Sequence, residues 1–214
     1  SSMLVELDHL CLERAVEKAR GLPANQYLFV NVSARTLIEP RMPIRTLVNK
    51  AQAVRIPLDH IVLELSEWSE SNDLAHLGEV MAELRGLGLK LALDDVGAGN
   101  ATFAPVEGIM PDFVKIDRTI CSGIAAVPIR LRIFSAIVDT ARDVGAVPIA
   151  EGIEVREDLD VLGDLGVNLV QGFFFSRPGP AFPEVDVATI SWPGGAIQQI
   201  DNLIAAAPNG GGRG

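Results

Sequence analysis

Cysteine is almost absent. Cys11 and Cys121 are the only two in 214 residues, and their separation fits no metal-binding spacing. Both read as small buried apolar residues rather than halves of a disulfide, which suits a reducing, cytoplasmic setting. Positive charge is scarce as well. Lys and Arg number 18 against 28 Asp and Glu, a formal net charge of -10. Such a balance argues against nonspecific attraction to DNA or to an anionic membrane, so a small anionic ligand would need a local cation. No stretch reaches the roughly 18 uncharged apolar residues of a membrane span, and no signal peptide is recognisable. Histidine is sparse too. His9, His60 and His76 are scattered and form no ligand pair, so they read as surface or capping residues.

What is present is a globular pattern. Hydrophobic residues make up 48% and charged residues 21%, which excludes disorder and allows a sizeable core. A single domain is expected over residues 1–207, with a flexible glycine-rich tail over 208–214.

Periodicity predicts helices and strands in alternation. Apolar residues at Leu4, Leu7, Cys11, Ala15 and Val16 mark a helix over 4–20. Further helices are expected over 44–54, 72–84, 129–142, 155–165 and 196–206. Strands are expected over 27–33, 61–66, 112–117, 146–150 and 167–175, with another centred on Leu91-Ala92-Leu93. Alternation of this kind means a parallel sheet buried on both faces. About six such units are visible, whereas a closed β/α barrel needs eight.

Each strand has an aliphatic face and a second face broken by a polar side chain. The interruptions are Asn31, Glu64, Asp94, Asp95, Lys115, Glu151 and Gln171, all towards C-terminal strand ends. Barrels and open α/β sheets alike place their ligand sites there. Taken singly, each has a plain alternative: Asn31 a turn cap, Glu64 with Lys115 a buried pair, Glu151 a solvated acid, Gln171 a backbone partner. Taken together, a pocket of carboxylates with one Asn and one Lys points to hard-cation chemistry on a phosphate or similar anion. Trp68, Trp192 and the run Phe173-Phe174-Phe175 read as packing residues, and Arg35 as a surface arginine within reach of a phosphate.

With these residues in view, the sequence resembles the EAL-domain family of cyclic di-GMP phosphodiesterases and receptors. The resemblance rests on Asn31-Val32-Ser33-Ala34-Arg35, Glu64-Leu65-Ser66-Glu67, Asp94-Asp95-Val96-Gly97-Ala98-Gly99, Lys115-Ile116-Asp117-Arg118, Ala150-Glu151-Gly152-Ile153-Glu154 and Gln171-Gly172-Phe173, in family order. It implies a TIM-like (β/α) barrel of the EAL type. It implies hydrolysis of the cyclic dinucleotide to its linear form with a pair of Mg2+ or Mn2+ ions. Asn31, Glu64, Asp94, Asp95 and Glu151 are then the metal ligands, and Lys115, Glu151 and Glu154 the catalytic groups. Arg35 and Gln171 contact substrate, and Glu67 anchors the loop after the paired aspartates.

The sequence departs from the family pattern in two places. Nothing corresponds to the Glu-Ala-Leu strand that gives the family its name, so the barrel is expected to be incomplete at its N-terminus. Completion by an upstream segment, another chain or a homodimer is expected. The loop after Asp95 carries Val96, Ala98, Asn100, Ala101 and Thr102 where the family has Phe, Thr, Tyr, Ser and Ser. These departures keep two alternatives open: a receptor that binds cyclic di-GMP without cutting it, and a protein-interaction module.

Overall fold

The computed structural model describes residues 2–39, 44–66, 74–98 and 109–179. Its elements are α1 (Ser2–Lys18), β1 (Leu28–Ser33), α2 (Ala34–Leu37), α3 (Ile44–Val54), β2 (Ile61–Ser66), α4 (Leu74–Gly86) and β3 (Lys90–Val96). Then come β4 (Phe113–Ile116), α5 (Arg118–Cys121), α6 (Pro128–Asp143), β5 (Val147–Ala150), α7 (Arg156–Asp164) and β6 (Leu169–Val170). The class is α/β with parallel strands, as the alternating pattern predicts. The expected helix over 196–206, Glu67, Trp68, Trp192, the loop residues Asn100, Ala101 and Thr102, and the tail lie outside the described residues. Among the described residues, no helix is long and apolar enough to cross a membrane.

The chain divides into two compact units, one made of Ser1–Leu93 with Ala104–Pro111, the other of Asp94–Phe103 with Asp112–Gly214. In the first, β1 pairs with β2 and β2 with β3, all parallel. Ile61, Val62, Leu63 and Leu65 of β2 are fully buried, as a strand covered on both faces requires. Leu12 and Val16 of α1, Ala19 just after it, and Leu47 and Ala51 of α3 are buried as well.

The buried face of α1 differs from the one expected. Leu4, Leu7 and Cys11 are exposed, and the helix instead buries Val5, Leu12 and Val16. The physical reason is Asp8, which lies on the same stripe. Its Oδ2 accepts from the Ser33 backbone N–H at 3.2 Å, from Ser33 Oγ at 2.8 Å and from Thr36 Oγ1 at 2.6 Å. Turning Asp8 inward sets the rotation of α1 and leaves Met3, Leu7 and Leu10 facing outward. Ser33 also caps α2, accepting from the Thr36 N–H at 3.2 Å.

In the second unit, β4 pairs with β5 and β5 with β6, again parallel. Helix α6 starts with Pro128 at its first turn, where the missing N–H costs nothing. It buries Phe134, Ile137, Val138 and Ala141, and each large side chain contributes about 1.5–3 kcal/mol of burial. The expected strand over 167–175 is cut to Leu169–Val170. Beyond it the chain turns, with Phe174 N–H on Ile153 O at 3.0 Å and Phe175 N–H on Gly172 O at 3.1 Å. Gly172 permits this because a Cβ there would fall 2.0 Å from Ile153 O. The turn leaves Phe173 half exposed under the Arg177 guanidinium, 4.8 Å from its ring.

Candidate metal and phosphate site

The second unit begins with the acidic end of β3. A regular strand would send consecutive side chains to opposite faces. Asp95 breaks that rule by adopting φ 55, in the left-handed region that Asp tolerates better than most residues. Gly97 follows at φ 94, and a Cβ there would meet Ile120 Cγ1 and Ile137 Cδ1 at 3.0 Å. The Ala98 N–H closes the turn on Asp95 O at 3.1 Å. Asp94 and Asp95 thereby come to one place.

Lys115 is supplied by β4, one residue from its end and buried, with its register partner Ile149 on β5. Its Nζ lies 2.9 Å from Asp94 Oδ1 and 2.7 Å from Glu151 Oε1, and the side chain is 5% exposed. Glu151 follows β5 directly, its N–H on Ile116 O at 3.1 Å. Gly152, at φ 68, lets this segment pass close to α5: a Cβ would lie 2.4 Å from Arg118 Cβ. A strand end, a glycine and a buried lysine thus hold Glu151 in place.

Donor oxygens of Asp94, Asp95 and Glu151 all lie within 4.8 Å of one another. The Asp95 carboxyl is pushed above the ordinary carboxylate range. Burial is the largest cause, followed by the charges of Asp94 and Asp117, against which Lys115 works in the other direction. Asp117 is an acid to which the sequence reading assigned no role. It is buried, caps α5 by accepting the Thr119 N–H at 2.8 Å, and lies close enough to Asp95 for its charge to push that carboxyl up. Its signal was available, because it shares strand parity with Lys115. Beneath it, buried Cys121 donates to Ile116 O at 3.2 Å, and burial pushes its thiol pKa up to about 12.

Oxygen-only donors crowded this closely suit a hard divalent cation such as Mg2+ or Mn2+ better than a soft one. The residues therefore fit the ion type expected from the sequence. Other residues singled out in the sequence take separate places. Asn31 on β1 is the register partner of Glu64 on β2 in the first unit; Asn31 is exposed and Glu64 buried. Arg35 is exposed on α2. In the second unit the Gln171 N–H lies on Ala150 O at 2.8 Å and its carbonyl receives the Ile153 N–H, beside Glu151. Glu154 is exposed just after it.

Comparison with known proteins points the same way. The family model described as "EAL domain" matches residues 1–178. The chain is 32% identical over 161 residues to the cyclic di-GMP phosphodiesterase PdeL of Escherichia coli, covering 74% of this chain and 44% of that protein. It is 28% identical over 184 residues to the cyclic di-GMP phosphodiesterase PdeA of Borreliella burgdorferi, covering 84% and 27%. The chain spans less than half the length of these relatives. Among solved structures, a standalone EAL protein from Vibrio cholerae in its c-di-GMP-bound form superposes with TM-score 0.75 at 26% identity, covering 84% of this chain and 76% of that one. Klebsiella pneumoniae BlrP1, in a calcium and cyclic di-GMP complex, gives TM-score 0.78 at 28% identity, covering 85% and 46%.

Proposed function

The chain belongs to the EAL-domain family, and from that premise we propose that it is a cyclic di-GMP phosphodiesterase domain, opening the cyclic dinucleotide to its linear form. The observation that carries this reading is the gathering of Asp94, Asp95 and Glu151 around the buried Lys115. Relatives named as cyclic di-GMP phosphodiesterases and neighbours solved with the nucleotide support the substrate assignment.

In this reading Asp94, Asp95 and Glu151 are metal ligands, and Asn31 and Glu64 are further ligands by their family positions. A bound pair of Mg2+ or Mn2+ ions would activate a water and offset charge on the attacked phosphate. Lys115 carries a positive charge among the acids, suited to a phosphate oxygen once the nucleotide arrives. Glu151 and Glu154 accept and orient protons at the attacking water, and Arg35 and Gln171 position the nucleotide. Asp117 adds a further negative charge beside Asp95, which a bound divalent cation would offset. Residues 1–207 act as one domain in the cytoplasm.

Incubation with cyclic di-GMP and Mg2+ or Mn2+ tests the proposal. Linear dinucleotide is expected, with its formation abolished by chelator and by E151Q. Binding without product would establish a receptor instead. Neither binding nor product from folded protein would overturn the substrate assignment.

A further inference from the structure

We propose that Lys115 is the resident counter-ion of the acidic site, and that loading of a divalent metal displaces its ammonium from at least one of the carboxylates it bridges. The inference rests on the metal-site reading above and adds to it a competition between lysine and metal for the same oxygens.

The argument starts from burial. The Lys115 side chain is 5% exposed, and its Nζ reaches both Asp94 Oδ1, at 2.9 Å, and Glu151 Oε1, at 2.7 Å. Water does little to screen a charge so placed. Those two carboxylates are also two of the three whose oxygens gather within 4.8 Å. A divalent ion bound to them at about 2.0–2.6 Å would stand close to the ammonium, and two cations on the same oxygens repel strongly in such surroundings.

One party must give way, and the lysine is the mobile one. Asp94 and Glu151 carry shorter side chains on backbone held at strand ends, the latter by its N–H on Ile116 O and by the Gly152 turn. Lysine carries its charge on a flexible four-carbon stem. Displacement frees the ammonium for an incoming anion, so metal loading and presentation of the lysine to phosphate become one event. Without metal, the same ammonium keeps the carboxylates together against their own repulsion.

A lysine that only pre-organised the ligands would have the opposite signature, because its loss would weaken metal binding. Calorimetry of Mn2+ binding to wild type, K115Q and K115R at pH 8 separates the two. K115Q is expected to bind Mn2+ at least tenfold more tightly than wild type, while K115R, which keeps the charge, binds no more tightly. Equal or weaker binding by K115Q overturns the proposal. A measurement on the unaltered chain covers the case in which K115Q does not fold. In protein labelled with 15N-lysine, the Lys115 ammonium resonance, identified by its loss in K115R, is expected to shift and exchange faster on saturation with Mg2+. A resonance unmoved by saturating Mg2+ overturns the proposal as well. If wild type binds neither metal, the metal-site reading fails and this inference falls with it. If metal binds and K115Q shows no tightening, this inference alone falls.

Discussion

Asp95 carries two costs. Its backbone sits at positive φ, and its carboxyl is pushed upward by burial and by the charges of Asp94 and Asp117. A carboxyl whose pKa is raised by folding weakens the fold once ionised. That loss is absent below the ordinary carboxylate range, grows as pH rises through it, and persists at neutrality. D95N keeps a side chain at ease with positive φ and removes the charge. It is expected to raise the urea midpoint at pH 7, with the gain shrinking towards pH 3, while Mn2+ affinity falls. The cysteines give a second residue-scale prediction. Cys11 is exposed, whereas the Cys121 thiol is buried with its pKa pushed to about 12, so it stays protonated and unreactive. Native protein at pH 8 should label with a thiol reagent at Cys11 alone, and at both positions in denaturant. Gly152 gives a third. A methyl group there would overlap Arg118 in a left-handed backbone, so G152A should cost about 2 kcal/mol or more in denaturant unfolding.

At the scale of elements, one carboxylate joins α1 to the start of α2. Asp8 takes hydrogen bonds from Ser33 and Thr36, and D8A would remove that shared acceptor, leaving the Ser33 N–H unmatched and the two hydroxyls only each other at 2.9 Å. A loss of about 1–3 kcal/mol is expected by urea titration. The same contact explains why helical spacing alone does not select the buried face of α1. Leu4, Leu7 and Cys11 satisfy helical spacing as well as Val5, Leu12 and Val16 do, and only a tertiary partner for Asp8 chooses between the stripes. Helix α3 and strand β2 were legible to the residue, because their apolar patterns admit a single reading. Strand β6 was not. The run Leu169 to Phe175 looks like a buried strand, but its ending depends on Gly172 lying against the Ile153 backbone, a contact that periodicity does not encode.

For the molecule as a whole, the acidic balance and the oxygen-rich cluster predict a protein stabilised by divalent cations. Mn2+ at a hundredfold its dissociation constant should add about 2.7 kcal/mol of stability. A rise in melting temperature reversed by chelator, and abolished in E151Q, checks this. The members of the candidate cluster, Asp94, Asp95, Lys115 and Glu151, were legible because strand parity places polar residues at C-terminal strand ends whatever the loops do. One feature was not legible: Lys115 joining Asp94 to Glu151, which depends on the register of β4 with β5. The left-handed twist at Asp95 has an evolutionary corollary. Consecutive codons deliver two claws of one grip only while the second residue accepts that twist, so a single exchange to valine or isoleucine would forfeit charge and geometry in one step. On the proposed metal-site reading, lineages of this fold that give up metal should therefore lose it at that codon sooner than at Glu151, where substitution removes a proposed ligand and spares the bend.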